Sequence, residues 1–168
     1  PGDKEANLSA MEMALAALPE ASARLVVFPE MASTGYLFDD TPDRLRTLAE
    51  PIPDGPTVAR LCAMAAAHRA YIVAGMPELA EGRVYNTAVL VGPTEGYITR
   101  YRKLHLWSEE KRLYAPGDLG IVVVDLPFCR LGIMICYDTW FPEQARIMRL
   151  LGADVLALLP ALPYGWAG

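Results

Sequence analysis

The sequence predicts an α/β domain in which mixed sheets are covered by helices, and three observations point there. Segments with apolar residues at helical spacing alternate with short, continuous apolar runs of strand length. Some strand-like runs follow one another directly across turn signals, which adds hairpins to the helical crossovers. Hydrophobic residues make up 53% of the 168 positions against 21% charged, ample for a core. No internal repeat, linker or low-complexity tract interrupts the chain, so residues 1–168 read as a single domain.

Asn7 is placed to cap a first helix whose Leu8, Met11, Leu15 and Leu18 recur at helical spacing, with Pro19 at its end. Residues 24–28 read as a buried strand closed by Pro29 and Glu30. A polar loop follows over 33–40, then a short helix over 43–49. The turn-rich connector 51–56 leads into a helix at 57–68, where Val58, Leu61, Cys62 and Ala65 form one apolar stripe. Strands are expected at 71–76, 84–91 and 96–104, the last two joined by a turn at Gly92-Pro93. Residues 120–126 and 129–136 form another strand pair. Pro142 suits the first turn of a helix, Gly152 suits its C-terminal cap, and 154–159 closes as a strand.

The formal net charge of −5 argues against a nucleic-acid-binding surface. No apolar window reaches the length that a membrane helix requires. Three cysteines (Cys62, Cys129 and Cys136) are too few and too irregularly spaced for a disulfide framework or a zinc site. An odd count without a signal peptide points to a reducing cytoplasm. Pro1-Gly2-Asp3 opens like the loop after a strand, without an initiator Met, and the apolar end 159–168 stops just after another. The expectation is a segment of a longer chain.

Cys136 ends the apolar run 131–135 just before a helix start, a rigid mount for a nucleophile near partial positive charge. The alternative is a packed core thiol. A free thiol is only a few per cent ionised at neutral pH, so a nucleophilic Cys136 needs a base. His68 lies late in a predicted helix and His105 beyond a basic strand end, which makes both poor candidates. Glu30, at its own strand end after Pro29, is a better one if it is partly desolvated; otherwise it is an exposed loop residue. Lys103 closes a run with three basic residues in four positions, 100–103. It is either an oxyanion partner or a charge that blunts a sheet edge.

Three blocks then fall into place. Phe28-Pro29-Glu30 with Thr34-Gly35-Tyr36 is the first, and Tyr101-Arg102-Lys103-Leu104-His105-Leu106 the second. Gly132-Ile133-Met134-Ile135-Cys136-Tyr137-Asp138 with Phe141-Pro142-Glu143 is the third. In content and order they resemble the signature blocks of the nitrilase (carbon–nitrogen hydrolase) superfamily. The resemblance implies a four-layer α-β-β-α sandwich, here lacking a first strand and a C-terminal portion. It implies Glu30 as general base, Lys103 as oxyanion-stabilising lysine and Cys136 as nucleophile. A second glutamate ahead of Pro116-Gly117 matches Glu110, with Glu109 as its competitor. The backbone N–H of Tyr137 is implied as an oxyanion donor. Asn86 and Asp138 are expected to orient loops by hydrogen bonding.

The activity so implied is hydrolysis of a small carbon–nitrogen substrate through a thioester, with no metal or organic cofactor called for. The residues after Cys136 look more like the amidase, carbamoylase and small thermophile-type nitrilase branches, which favours an amide or N-carbamoyl compound over a nitrile. Tyr36, Trp107, Tyr137 and Trp140 are the candidate substrate-binding residues. An acyltransferase and a catalytically silent assembly module are the other readings. By analogy with the family, a homodimer or larger homo-oligomer is expected.

Overall fold

Asp3, rather than Asn7, caps the first helix, accepting the Ala6 N–H on Oδ1 at 3.0 Å. Helix α1 therefore runs Lys4–Ala16, one turn earlier than expected. Asn7 is used elsewhere: its Nδ2 donates to the Ser33 carbonyl at 3.2 Å. The computed structural model describes residues 2–19, 25–36 and 41–161. The expected strand residue Arg24, the end of the polar loop at 37–40 and the apolar end beyond 161 lie outside these.

Strand β1 is Leu25–Val27, followed by helix α2 at Pro42–Leu48, where Thr41 Oγ1 accepts the Arg44 N–H. Helix α3, Pro56–His68, starts with its proline at the first turn and buries Val58, Leu61, Met64 and Ala65. Cys62 on the expected stripe is only partly buried. Strands β2 (Tyr71–Ala80), β3 (Arg83–Gly92) and β4 (Gly96–Arg102) form an antiparallel meander. The β2–β3 hairpin extends past Met76 to a two-residue turn at Glu81-Gly82, both with positive φ (50° and 73°). That twist matches the flanking strands.

Helix α4 is the single turn Glu110–Leu113; β5 (Val123–Leu126) pairs with β6 (Cys129–Ile135). The 3-10 helix Cys136–Trp140 follows, then α5 (Pro142–Leu150) and β7 (Val155–Leu159). Cys136 is thus the first residue of a turn and not the last of a strand. Gly152, at φ 90°, takes the left-handed position just beyond α5.

One sheet has the order β1-β2-β3-β4 and the other β5-β6-β7. Strand alternation assigns their faces. Ile72, Ala74, Met76, Val89 and Val91 pack against Leu8, Met11, Leu15, Leu61 and Met64 of α1 and α3. Tyr71, Val73, Ala88, Leu90 and Tyr101 turn the other way, onto Leu131, Ile133, Ile135, Ala157 and Leu159 of the second sheet. Behind that sheet, Met134 meets Met148 and Ala153 under α5. Gly132 lets α5 come close, since a Cβ there would lie 2.8 Å from Met148 Sδ. Among the described residues the packing order is helices, sheet, sheet, helix. Each fully buried Leu or Ile between the sheets contributes about 1.5–3 kcal/mol, so the inter-sheet layer is a stiff support for what stands at its end.

Candidate active site

Glu30 opens a tight turn after β1. Met31 takes positive φ (53°), and its carbonyl accepts the Thr34 and Gly35 N–H groups at 3.1 and 2.7 Å. The turn lies flat on β2 because Gly75 has no side chain: a Cβ there would sit 2.5 Å from Met31 N and 2.7 Å from Glu30 Cα. Pro29 O accepts the Gly75 N–H, and Gly75 O accepts the Ser33 N–H, both at 3.2 Å. Glu30 is 3% exposed, so it is no loop-surface residue.

Lys103 follows the end of β4. Its backbone is held on both sides, donating to Asn86 O at 2.8 Å and accepting from the Gly117 N–H at 2.9 Å. Its side chain is 1% exposed. The three ammonium hydrogens meet three carboxylate contacts: Glu30 Oε1 at 2.7 Å, Glu110 Oε1 at 2.9 Å and Glu110 Oε2 at 2.8 Å. Lys103 is therefore buried and paired, not a solvated edge charge.

Glu110, 3% exposed, begins α4 and also accepts from Tyr36 OH and the Trp107 N–H, both at 2.6 Å, and from Asn86 Nδ2 at 3.0 Å. Glu109 points away and pairs with Arg112 on the surface. The structure thus places Glu110, not its neighbour, in the cluster. Asn86 Nδ2 also donates to Glu30 Oε1 at 2.6 Å. Expected as a loop-orienting residue, Asn86 in fact touches both carboxylates. An asparagine in the middle of a buried strand, where that residue type is disfavoured, was the signal that could have found it.

Cys136 comes from the other sheet. It has positive φ (43°), is partly buried, and its Sγ lies 3.8 Å from the Ala161 carbonyl. Beside it, the Glu30 N–H donates to Pro160 O at 3.3 Å, so the exit of β7 touches both groups. Asp138, 0% exposed, accepts from Tyr101 OH (2.7 Å), Ile135 N (2.9 Å) and His105 N (3.1 Å), and its Oδ1 lies 2.9 Å from His105 Nδ1. Tyr101 and His105 flank Lys103 in sequence, so Asp138 ties the Lys103 segment to the Cys136 turn.

Burial sets the proton affinities here. It pushes Glu30 up to about 7; the Lys103 ammonium and the Lys103 and Asn86 hydrogen bonds act against this, and the Glu110 charge reinforces it. Burial alone would lower Lys103, but the charges of Glu30 and Glu110 outweigh it and hold the lysine above its ordinary value. Burial, then the Glu110 and Glu30 charges, push the Tyr36 phenol up. The Cys136 thiol is also pushed up, by burial first and then by the Glu30 charge, with Lys103 pulling weakly the other way. Burial and the Glu30 charge thus outweigh the partial positive charge expected near Cys136 and favour the thiol form, in line with the expected need for a base.

Of the aromatic candidates, Tyr36 and the Trp107 backbone reach Glu110. Tyr137 lies edge-on to Phe141 at 5.4 Å, and Phe141 stacks on His105 at 3.7 Å. Trp140 departs from expectation: it is 70% exposed and rests on the Tyr137 ring rather than on the carboxylate–lysine cluster. Among the described residues, no group of three or more His, Cys, Asp or Glu side chains is arranged to hold a metal ion. No helix among them is long and apolar enough to cross a membrane.

Paired mixed sheets between helices, with a cysteine, a lysine and a glutamate just past strand ends and a second glutamate on a helical turn, define an α/β class with a buried charged site. The family model described as carbon-nitrogen hydrolase matches residues 1–165, and the chain belongs to that family, within the nitrilase superfamily. It is 44% identical over 155 residues to a protein of Pyrococcus abyssi named nitrilase, covering 92% of this chain and 58% of that one. It is 36% identical over 166 residues to an (R)-stereoselective amidase of Pseudomonas sp., covering 98% of this chain and 58% of that one. The crystal structure of an amidase from Nesterenkonia sp. superposes with a TM-score of 0.80 at 25% identity, over 96% of this chain and 61% of that one. The chain thus spans less than two thirds of the length of these relatives.

Proposed function

We propose that this chain carries the active site of a hydrolase that cleaves a non-peptide carbon–nitrogen bond of a small amide or N-carbamoyl compound through a thioester. The observation that carries the reading is Lys103 Nζ bonded at once to buried Glu30 and Glu110, with the Cys136 thiol against Glu30. Glu30, near 7, is poised to take a proton at neutral pH.

In the proposed cycle the thiol proton passes to Glu30 as Cys136 Sγ bonds to the acyl carbon. Charge developing on the carbonyl oxygen is met by Lys103 and by the Tyr137 N–H. The carbon–nitrogen bond then breaks, and the leaving nitrogen takes the proton from Glu30. Water next loses a proton to Glu30 and attacks the thioester, releasing the acid, and the thiol regains its proton. Glu110 holds the lysine and the Tyr36 hydroxyl throughout. The relative named nitrilase favours a second reading, in which a nitrile takes the amide's place.

The same proposal takes the described layers as most of a four-layer sandwich forming one domain. It places the protein in a reducing, cytoplasmic compartment, in keeping with three unpaired cysteines. Exposed Ile147, Leu150 and Leu151 on and just after α5 support self-association into a homodimer or larger assembly.

The test is ammonia release by the full-length protein from a panel of amides, N-carbamoyl amino acids, ureido compounds and nitriles. Cys136→Ala is expected to abolish it, and mass spectrometry should find the acyl adduct on Cys136 and not on Cys62 or Cys129. Full turnover by Cys136→Ala would end the thioester scheme.

A further inference from the structure

Glu30 Oε1 and Glu110 Oε1 are each bonded to the same two nitrogens, Lys103 Nζ and Asn86 Nδ2. The four atoms close a ring, with a cation at one corner and a neutral amide at the opposite one. Both amide hydrogens of Asn86 are consumed by it. Asn86 is 1% exposed and its backbone carbonyl accepts the Lys103 N–H, which fixes its main chain, while its side-chain Oδ1 is buried without a partner among the described residues. Outside the ring, Glu30 Oε2 is buried and has no hydrogen-bond partner among the described residues.

Two carboxylates and one ammonium carry unequal charge, and a second fixed donor is needed to hold both acids in place. A second cation in the position of Asn86 would drive Glu30 toward ordinary carboxylate acidity and make it a weak base. With no donor at all, Glu30 would turn away or stay protonated. We propose that Asn86 is a positioning residue for the reaction: it clamps Glu30 Oε1 against Glu110, so that Oε2 alone stays free for the Cys136 proton. This rests on the reading of Glu30 as the base.

The groups that face Glu30 come from every element packed on it. They are Lys103 after β4, Glu110 on α4, Asn86 on β3, Tyr36 beyond its own turn, and Cys136 from the second sheet. Among them Asn86 is the neutral one that donates to Glu30, and its hydrogen bond holds the carboxyl down.

The experiment needs no substrate. The rate of Cys136 alkylation by iodoacetamide is followed by mass spectrometry from pH 5 to 10 in the full-length protein, with thermal melts of each variant. Wild type should show a rise near neutral pH that Glu30→Gln lacks, before the thiolate rise at higher pH. Asn86→Ala should move the first rise upward by about one unit, roughly tenfold in rate below it. Asn86→Ser, which keeps one donor and serves if the alanine variant does not fold, should move it by less. A first rise lost in Glu30→Gln but unmoved in both Asn86 variants would overturn the clamp alone. A first rise that survives Glu30→Gln would overturn Glu30 as the base, and the clamp with it.

Discussion

Tyr101 on the first sheet donates its hydroxyl to Asp138 beside the second at 2.7 Å, and both residues are fully buried. The same hydroxyl accepts from Leu104 N at 3.2 Å and Gln144 Nε2 at 2.8 Å. One phenol oxygen thus fastens the Lys103 segment, the Cys136 turn and α5 together. Removing it leaves the buried Gln144 amide and the part-buried Leu104 N–H without this acceptor, at about 1–3 kcal/mol for the buried one, while Asp138 Oδ2 keeps the Ile135 N–H. Tyr101→Phe should lower the unfolding free energy by at least that much in a denaturant titration, and slow turnover as the two halves of the site loosen.

The pH behaviour has opposite signs for activity and stability. In the proposed cycle Glu30 must be ionised to act as base, so kcat/KM should rise through about pH 7. The folded value lies above the ordinary 4.5, so the stability that Glu30 contributes is full below about 4.5 and is lost as pH rises through about 7. Glu30→Gln should abolish activity and flatten the corresponding part of a Tm-against-pH curve.

Lys103→Met keeps the length of the side chain and removes its charge. Losing an oxyanion partner, the role proposed for Lys103, typically costs ~10²–10³ in kcat. Glu30 and Glu110 would also be left buried without their cation, a situation worth about 3–5 kcal/mol. Steady-state kinetics and urea melts should show both losses together.

The two adjacent glutamates should separate cleanly. Glu109→Gln removes a surface pair with Arg112 and should stay within about 0.5 kcal/mol of wild type with normal turnover. Glu110→Gln turns one of its two acceptor oxygens into a donor facing Lys103, Asn86, Tyr36 or the Trp107 N–H, and should cost most of the activity.

Gly75→Ala tests the Glu30 turn. Its methyl would lie 2.5 Å from Met31 N, closer than backbone can tolerate, so the turn must move. Overpacking of this kind costs about 1–3 kcal/mol, and kcat should fall without any change to a reacting group.

Where local pattern and burial agree, the sequence was legible: α3 with its N-terminal proline, α5 between Pro142 and Gly152, and the apolar strand β6 before Cys136. The strand expected over 71–76 stops short of Pro77 and Glu78, yet β2 runs on through them. Glu78 is kept there by Arg102, which meets it through two nitrogens at 2.9 and 2.6 Å, a partner distant in sequence. The choice between Glu109 and Glu110 depends on where one short helical turn starts, which composition does not encode. Trp140 shares a turn with Cys136 but faces outward, because a 3-10 helix sends neighbouring side chains in different directions. The thiol's high proton affinity could not be read either, since it arises from burial and from a carboxylate more than a hundred positions earlier in the chain.

Glu30 and Lys103 follow strands β1 and β4 of the four-stranded sheet, while Cys136 follows β6 of the three-stranded one. A growing chain makes the acid and the lysine first and the sulfur last. Until the halves dock, the sulfur is an ordinary cysteine with no base at hand. On the proposed mechanism its chemistry therefore waits for the two sheets to meet, and a half-folded chain has little capacity to be acylated at Cys136.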